Sequence, residues 1–296
     1  MRILFITRRY SPSIGGVEKH VREVSLSLRK KGHKVTVISE EDIKYPHIKL
    51  LGLFSIWFWL FRNRNLIKQS DIVHCHDVFI WYLPFRFLYP SKPVYTTFHG
   101  WEGRYPIPKK NILLKKLSAK LSWGSICVGK YIEKYFGIKA DFITYGAVTS
   151  ILYSIEVKKP KYIVFIGRLE RDTGLLTFLE WLEKHEGYGV GFCGDGALRS
   201  ECERYGKVHG FGDPKPFLIK AEFCIPGGYL SALEAMAYKC KIKVFLDNPL
   251  KADYWRLTPF YEWVEEEDVE SAYEWVKGQN WKKLARVYIK LWSRGL

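Results

Sequence analysis

Short runs rich in Ile, Val and Phe alternate with helix-patterned segments almost without a break, which is the pattern of parallel sheets with helices on their faces. In the first half the strand-like runs are Ile3–Thr7, Lys34–Ile38, Ile72–Cys75, Val94–Phe98 and Ser125–Val128. Helical patterns lie between them near Gly16–Lys31, Ser55–Lys68, Asn111–Trp123 and Lys130–Phe136. A polar stretch over 149–160 interrupts the series, and Tyr162–Ile166 restarts it. Gly189–Cys193, Lys207–His209, Glu222–Ile225 and Ile242–Leu246 follow as strands, with helices near Leu175–His185, Ala197–Tyr205, Pro214–Ile219 and Leu230–Tyr238. A chain of 296 residues can bury two cores of ordinary size. The predicted fold is therefore α/β, with Rossmann-like domains over 1–150 and 151–296 and a last helix free to pack back on the first. In open parallel sheets ligands lie beyond the carboxyl ends of the strands, so two facing domains put the site in the cleft between them.

Composition narrows the classes. The N-terminal apolar run Ile3–Thr7 is too short for a signal peptide and is followed at once by Arg8-Arg9, which predicts a cytoplasmic protein. Six scattered cysteines without a Cys-x-x-Cys pair point to buried thiols rather than to zinc or disulfides. Two glutamines beside abundant Lys, Arg and Glu hint at a thermophilic source. A net charge of +16 calls for an anionic partner. No zinc-finger spacing or RNA-binding motif accompanies that charge, so nucleic acid is disfavoured. Basic residues gather in the first half (Arg29-Lys30-Lys31, Lys109-Lys110, Lys115-Lys116), whereas Glu265-Glu266-Glu267-Asp268 makes part of the second half acidic. That asymmetry suits an anionic membrane better.

The segment Gly227-Gly228-Tyr229-Leu230-Ser231-Ala232-Leu233-Glu234 is a glycine turn that opens an apolar helix carrying one carboxylate. Glycines admit a close ligand, a helix N-terminus offers N–H groups to a diphosphate, and Glu234 can take a sugar's hydroxyl pair. A plain buried helix reads the same way. Gly15-Gly16 opens a helix directly after the first strand, without the Gly-x-Gly-x-x-Gly of dinucleotide sites. His76-Asp77 and His99-Gly100 end neighbouring strands, where either a binding edge or structural histidines fit. Gly167-Arg168 ends the first strand of the second series with a cation suited to bidentate phosphate contact, and Gly194-Asp195-Gly196 ends the next. No Asp-x-Asp metal motif is evident, so neither a metal nor another cofactor is expected.

Taken in order, Gly15-Gly16, Asp71 to Asp77, His99-Gly100, Gly167-Arg168-Leu169, Gly194-Asp195-Gly196 and Leu233-Glu234-Ala235-Met236-Ala237 resemble the retaining, GT-B-fold family-4 glycosyltransferases over nearly the whole chain. The resemblance implies an N-terminal acceptor-side domain, a C-terminal domain for a nucleoside diphosphate sugar, and metal-independent, retaining hexosyl transfer. By it, His99 and Arg168 are the catalytic residues, with His76, Asp77 and His99 on the sugar and acceptor side. It gives the donor Gly15, Gly16, Arg168, Arg171, Thr173, Gly194, Gly227, Gly228, Tyr229, Leu230, Ser231 and Glu234. The chain also departs from the pattern. Thr173 stands where a lysine usually precedes the glycine, leaving Arg171 as the nearest cation, and Pro226 stands eight positions before Glu234 where a first glutamate belongs. Thr144-Tyr145-Gly146 and Gly129 replace two further motif positions. A degenerate nucleotide-sugar-binding protein and a nucleotide-sugar epimerase are the alternatives.

The stretch Leu50–Arg64 is apolar almost all round and too short for a span of about 20 residues. With Trp57, Phe58 and Trp59 beside Arg62 and Arg64 it predicts contact with an anionic membrane, a peripheral position on the inner membrane face and a lipid-linked acceptor. A core helix fits the same residues.

Overall fold

The computed structural model describes residues 1–43, 49–100, 104–149 and 159–294. The chain divides into two compact units, Met1–Glu102 with Pro106–Thr144 and Trp281–Leu296, and Gly103–Tyr105 with Tyr145–Asn280.

The first unit runs β1 (Arg2–Thr7), α1 (Gly16–Arg29), β2 (Lys34–Ile38), α2 (Glu40–Ile43), α3 (Lys49–Arg62), α4 (Asn65–Gln69), β3 (Ile72–His76), α5 (Phe79–Leu88), β4 (Val94–Phe98), α6 (Lys109–Leu121), β5 (Gly124–Val128), α7 (Tyr131–Phe136) and β6 (Phe142–Thr144). Its six strands are parallel in the order β2-β1-β3-β4-β5-β6. β1, β3 and β4 are buried on both faces, which is why they read as near-continuous apolar runs. Right-handed crossovers send α1 to one face and α3, α5, α6 and α7 to the other. The core on that second face joins Leu4, Ile6, Ile56, Leu60, Val73, Cys75, Phe79 and Tyr82.

The second unit runs β7 (Lys159–Ile166), α8 (Leu175–Glu183), β8 (Gly189–Cys193), α9 (Arg199–Glu203), β9 (Lys207–Val208), α10 (Lys215–Leu218), β10 (Ala221–Pro226), α11 (Tyr229–Ala237), β11 (Lys241–Ile242), α12 (Pro249–Arg256), α13 (Tyr261–Glu265) and α14 (Val269–Lys277). Its five parallel strands lie in the order β11-β10-β7-β8-β9. The last helix, α15 (Trp281–Trp292), belongs to the first unit. It buries Trp281, Leu284, Ala285, Tyr288, Leu291 and Trp292 along one stripe at helical spacing and packs on α1, β5 and β6. It thereby covers the part of the sheet's α1-bearing face that α1 leaves open.

Several sequence expectations need correction. The helix expected over Ser55–Lys68 begins at Lys49 and breaks after Arg62, where the Asn63 side-chain amide donates to the Trp59 carbonyl at 2.8 Å and ends the run. α5 went unread because its aromatic sequence and internal Pro84 disguise a helix. Of the strand expected over Ile242–Leu246 only Ile242 is paired, in the two-residue edge strand β11. The second unit begins at Tyr145 rather than at 151, while the last helix packs back on the first unit as the sequence allows. Tyr145 already bonds the Leu257 carbonyl at 3.0 Å in the second unit, and Trp281 onward returns to the first. All six cysteines are buried free thiols, as their scatter in apolar runs predicts.

Candidate functional site

At the carboxyl ends of the second sheet the glycines serve the strands themselves. A Cβ on Gly167 would lie 2.9 Å from the Gly227 Cα, and one on Gly194 would overlap the Gly167 carbonyl, so β7, β8 and β10 close tip to tip only as glycine. Gly227 spends its N–H on the Ile166 carbonyl at 2.8 Å. That packing sets Arg168, just past β7, beside the start of α11, just past β10. The Arg168 guanidinium is half exposed and pairs with Asp172 at 2.7 Å.

The start of α11 is more occupied than the sequence suggests. The Gly228 N–H meets the Ser231 hydroxyl at 3.3 Å, and the Tyr229 N–H donates to the Tyr254 hydroxyl at 2.9 Å. The two tyrosine rings stack at 4.0 Å. Leu230 instead covers Gly146, whose φ of 98° favours glycine. Glu234 sits half-buried on the same helix. Thr173 is turned inward, its hydroxyl donating to the Glu170 carbonyl at 2.7 Å, while Arg171 is exposed. In the first unit, Glu18 folds its carboxylate over Gly15 at the start of α1, one of the two glycines that the resemblance gives to the donor.

At the tips of β3 and β4 the first unit gathers four histidines. His76 Nδ1 and His99 Nε2 share a hydrogen bond of 3.1 Å, the His20 ring stands edge-on to His99 at 4.8 Å, and His74 lies beneath. α15 completes the group. The Tyr288 hydroxyl bonds His20 Nε2 and the Thr97 hydroxyl, each at 2.9 Å, and Trp292 Nε1–H donates to His74 Nδ1 at 3.1 Å. Because an indole only donates, His74 Nδ1 accepts and its Nε2–H is the proton directed at the Thr97 hydroxyl, 2.7 Å away. Burial holds all four rings neutral: His99 falls to about 4, with Lys115 adding and Asp77 opposing, His74 falls to about 3, and His20 and His76 fall well below the ordinary value.

Asp77 takes a left-handed backbone, φ 61°, and its carboxylate accepts the His99 N–H at 3.1 Å. Burial alone would raise that carboxyl. The Lys115 ammonium at 3.0 Å and the His99 backbone N–H outweigh it and leave Asp77 below its usual range. Lys115 is thus committed to the site rather than to a surface cluster. Among the described residues the buried Nε2 of His76 has no hydrogen-bond partner, and no three acidic, His or Cys side chains are placed to hold a metal ion. Sequence reasoning missed His20, His74, Thr97 and Tyr288. The amphipathic stripe of α15 was the available signal.

The aromatic helix α3 corrects one expectation. Trp57 and Trp59 turn inward, Trp57 donating its indole N–H to the Ile80 carbonyl at 3.0 Å and Trp59 packing on the core. The side chains that face out are Leu51, Phe54, Phe58 and Phe61, at helical spacing and 50–62% exposed. Arg62 lies 5.8 Å from the Phe58 ring centre and Arg64 4.8 Å from that of Phe61. On α6 the exposed Leu113, Leu114 and Leu117 lie among Lys109, Lys110, Lys116 and Lys120.

Residues 14–138 match the family model described as Glycosyltransferase Family 4. The chain resembles family-4 glycosyltransferases, and its fold is GT-B. A sucrose-phosphate synthase from Thermosynechococcus elongatus superposes with a TM-score of 0.75 at 14% identity, over 99% of this chain and 98% of that one. TarM from S. aureus, solved with UDP, gives 0.60 at 14% identity over 81% of this GT-B chain and 59% of its own. A putative UDP-N-acetylglucosamine 2-epimerase from Listeria monocytogenes gives 0.57 at 12% identity over 97% and 94%. Comparison with curated protein sequences finds no match.

Proposed function

We propose that the protein is a retaining glycosyltransferase that moves a hexosyl group from a nucleoside diphosphate donor to a hydroxyl acceptor. The observation that carries the reading is the close packing of Gly167 against Gly227, which brings a half-exposed arginine and the first turn of an α-helix to one point beyond the sheet. An arginine fork and a helix N-terminus are what a diphosphate leaving group needs, and together they stabilise its charge without a divalent ion. In this reading Arg168 exchanges Asp172 for phosphate, Glu234 holds the ribose, and His99, backed by His76 and Asp77, contacts the sugar or the acceptor. The departing phosphate serves as base for attack from the same face. UDP in the TarM structure supports a nucleotide donor by analogy of fold.

The test is a turnover assay over a panel of nucleoside diphosphate sugars, with and without chelator. Transfer with retention, undiminished in chelator, is expected. Loss in chelator that magnesium restores would assign the leaving-group charge to a metal. Glu234→Ala is expected to weaken nucleoside diphosphate binding by about 1.5–3 kcal/mol, the worth of a charged hydrogen bond, and unchanged calorimetric affinity would remove Glu234 from the site. A second reading, a binding protein without turnover, is favoured by the Tyr254 hydroxyl already seated on the Tyr229 amide. Binding without transfer to any acceptor would establish it.

The acceptor in this proposal is lipid-linked, and α3 and α6 hold the protein on the inner face of an anionic membrane. No helix among the described residues is long and apolar enough to cross it. The contact is the exposed stripe of α3 with Arg62 and Arg64, not Trp57 and Trp59. Liposome cosedimentation is expected to rise with anionic lipid and fall with salt, each arginine contributing about 1 kcal/mol. Phe58→Ser with Phe61→Ser should abolish binding in a folded protein, whereas Trp57→Ser with Trp59→Ser should destabilise the first unit. Indifference of the wild type to anionic liposomes would replace the lipid-linked acceptor with a soluble one.

A further inference from the structure

The turn after β7 carries one cation fewer than its resemblance implies, because Thr173 replaces the expected lysine and points into the core. α12, in the same unit, carries a buried lysine. We infer that Lys251, on α12, is the second cation of the donor's diphosphate subsite. The inference rests on the nucleoside diphosphate reading above and names a residue that reading does not use.

Three observations place Lys251 there. Its side chain is 2% exposed, with Nζ 5.1 Å from the Tyr254 ring centre and 5.7 Å from that of Trp255. Tyr254 in turn holds the Tyr229 N–H at 2.9 Å, so one aromatic ring separates the ammonium from the first turn of α11. The loop before α12 lies against the turn after β7, where a Cβ on Gly174 would stand 2.8 Å from the Phe245 carbonyl oxygen, and the charges that act on Lys251 are Asp247 on that loop with Asp172 and Arg168 on the turn. Asn248 fixes the start of α12 by accepting the Lys251 N–H at 2.9 Å, which anchors the lysine backbone.

A buried ammonium is costly, and burial pushes Lys251 down to about 8, with Asp247 and Asp172 holding it up and Arg168 pressing it lower. Two cations and two carboxylates balance there. A diphosphate, with acceptor oxygens on both phosphates, re-partners Arg168 and Lys251 together. The missing lysine is thereby replaced from a different element of the fold.

Calorimetry of UDP, ADP and GDP binding to the full chain tests this. Lys251→Met should bind at least tenfold more weakly than the wild type, Lys251→Arg should retain binding, and adding Thr173→Lys to Lys251→Met should recover most of the loss. A readout on the unaltered protein guards against a variant that fails to fold. Phosphate beside Lys251 raises its pKa, so binding at pH 8 should take up protons, seen as a dependence of the heat on buffer ionisation enthalpy. Of the groups acting on it, Asp172 and Asp247 are carboxylates, Arg168 is a guanidinium and burial pushes Tyr254 upward, so the uptake reports the lysine. Wild-type affinity in Lys251→Met, or binding without proton uptake, overturns the inference and leaves the donor reading standing. A wild type that binds no nucleoside diphosphate overturns both.

Discussion

Lowering the pH from 7 to 5 is expected to remove several kcal/mol from the stability of the first unit. His20, His74, His76 and His99 are all held below the ordinary histidine value when folded, His99 at about 4 and His74 at about 3. Unfolded, each titrates near 6.5, so between the folded values and about 6.5 the unfolded chain binds more protons. Stability is therefore complete above that range and is lost as the pH falls through it. At about 1.4 kcal/mol per pH unit, each histidine that stays neutral at pH 5 costs about 2 kcal/mol, and four approach the whole stability of a domain. Urea unfolding followed by tryptophan fluorescence at pH 7, 6 and 5 reads the effect. His74→Leu should flatten the dependence by about one histidine's share. Equal midpoints at pH 7 and pH 5 would show that these rings are protonated in the folded protein.

Trp292→Ala is expected to cost about 3–5 kcal/mol, the range for truncating a buried aromatic. Trp292 is fully buried, and its indole N–H is the donor that fixes the His74 tautomer. Alanine leaves both a cavity and a buried ring nitrogen without its donor. Trp292→Phe separates the two effects, keeping most of the apolar area while losing the hydrogen bond, for about 1–3 kcal/mol. Thermal unfolding of both variants checks the order. An unchanged midpoint in Trp292→Ala would mean that α15 contributes nothing to holding the first sheet.

The parallel sheets were legible because buried strands such as Ile3–Thr7 and Val94–Phe98 are apolar without interruption, and the glycine-opened α1 and α11 announce themselves. Local pattern is silent on which face a side chain takes when a helix is apolar all round, so Trp57 and Trp59 passed for surface residues although the Ile80 carbonyl claims one of them. The histidines could be read as strand tips but not as a group. His20 comes from α1, and its partner Tyr288 lies 268 positions later, a separation that no local motif records. The glycine turns misled in an instructive way. Gly167, Gly194 and Gly227 are required by the strands packing on one another.

The return of α15 to the first unit makes that unit depend on both ends of the chain. During synthesis the sheet face bearing His74, Tyr95 and Thr97 stays without its α15 cover until the ribosome has passed Trp292. The second unit, continuous from Tyr145 to Asn280 apart from one short segment, has all its strands and helices in hand before then. The unit made first is thus the one that finishes folding last.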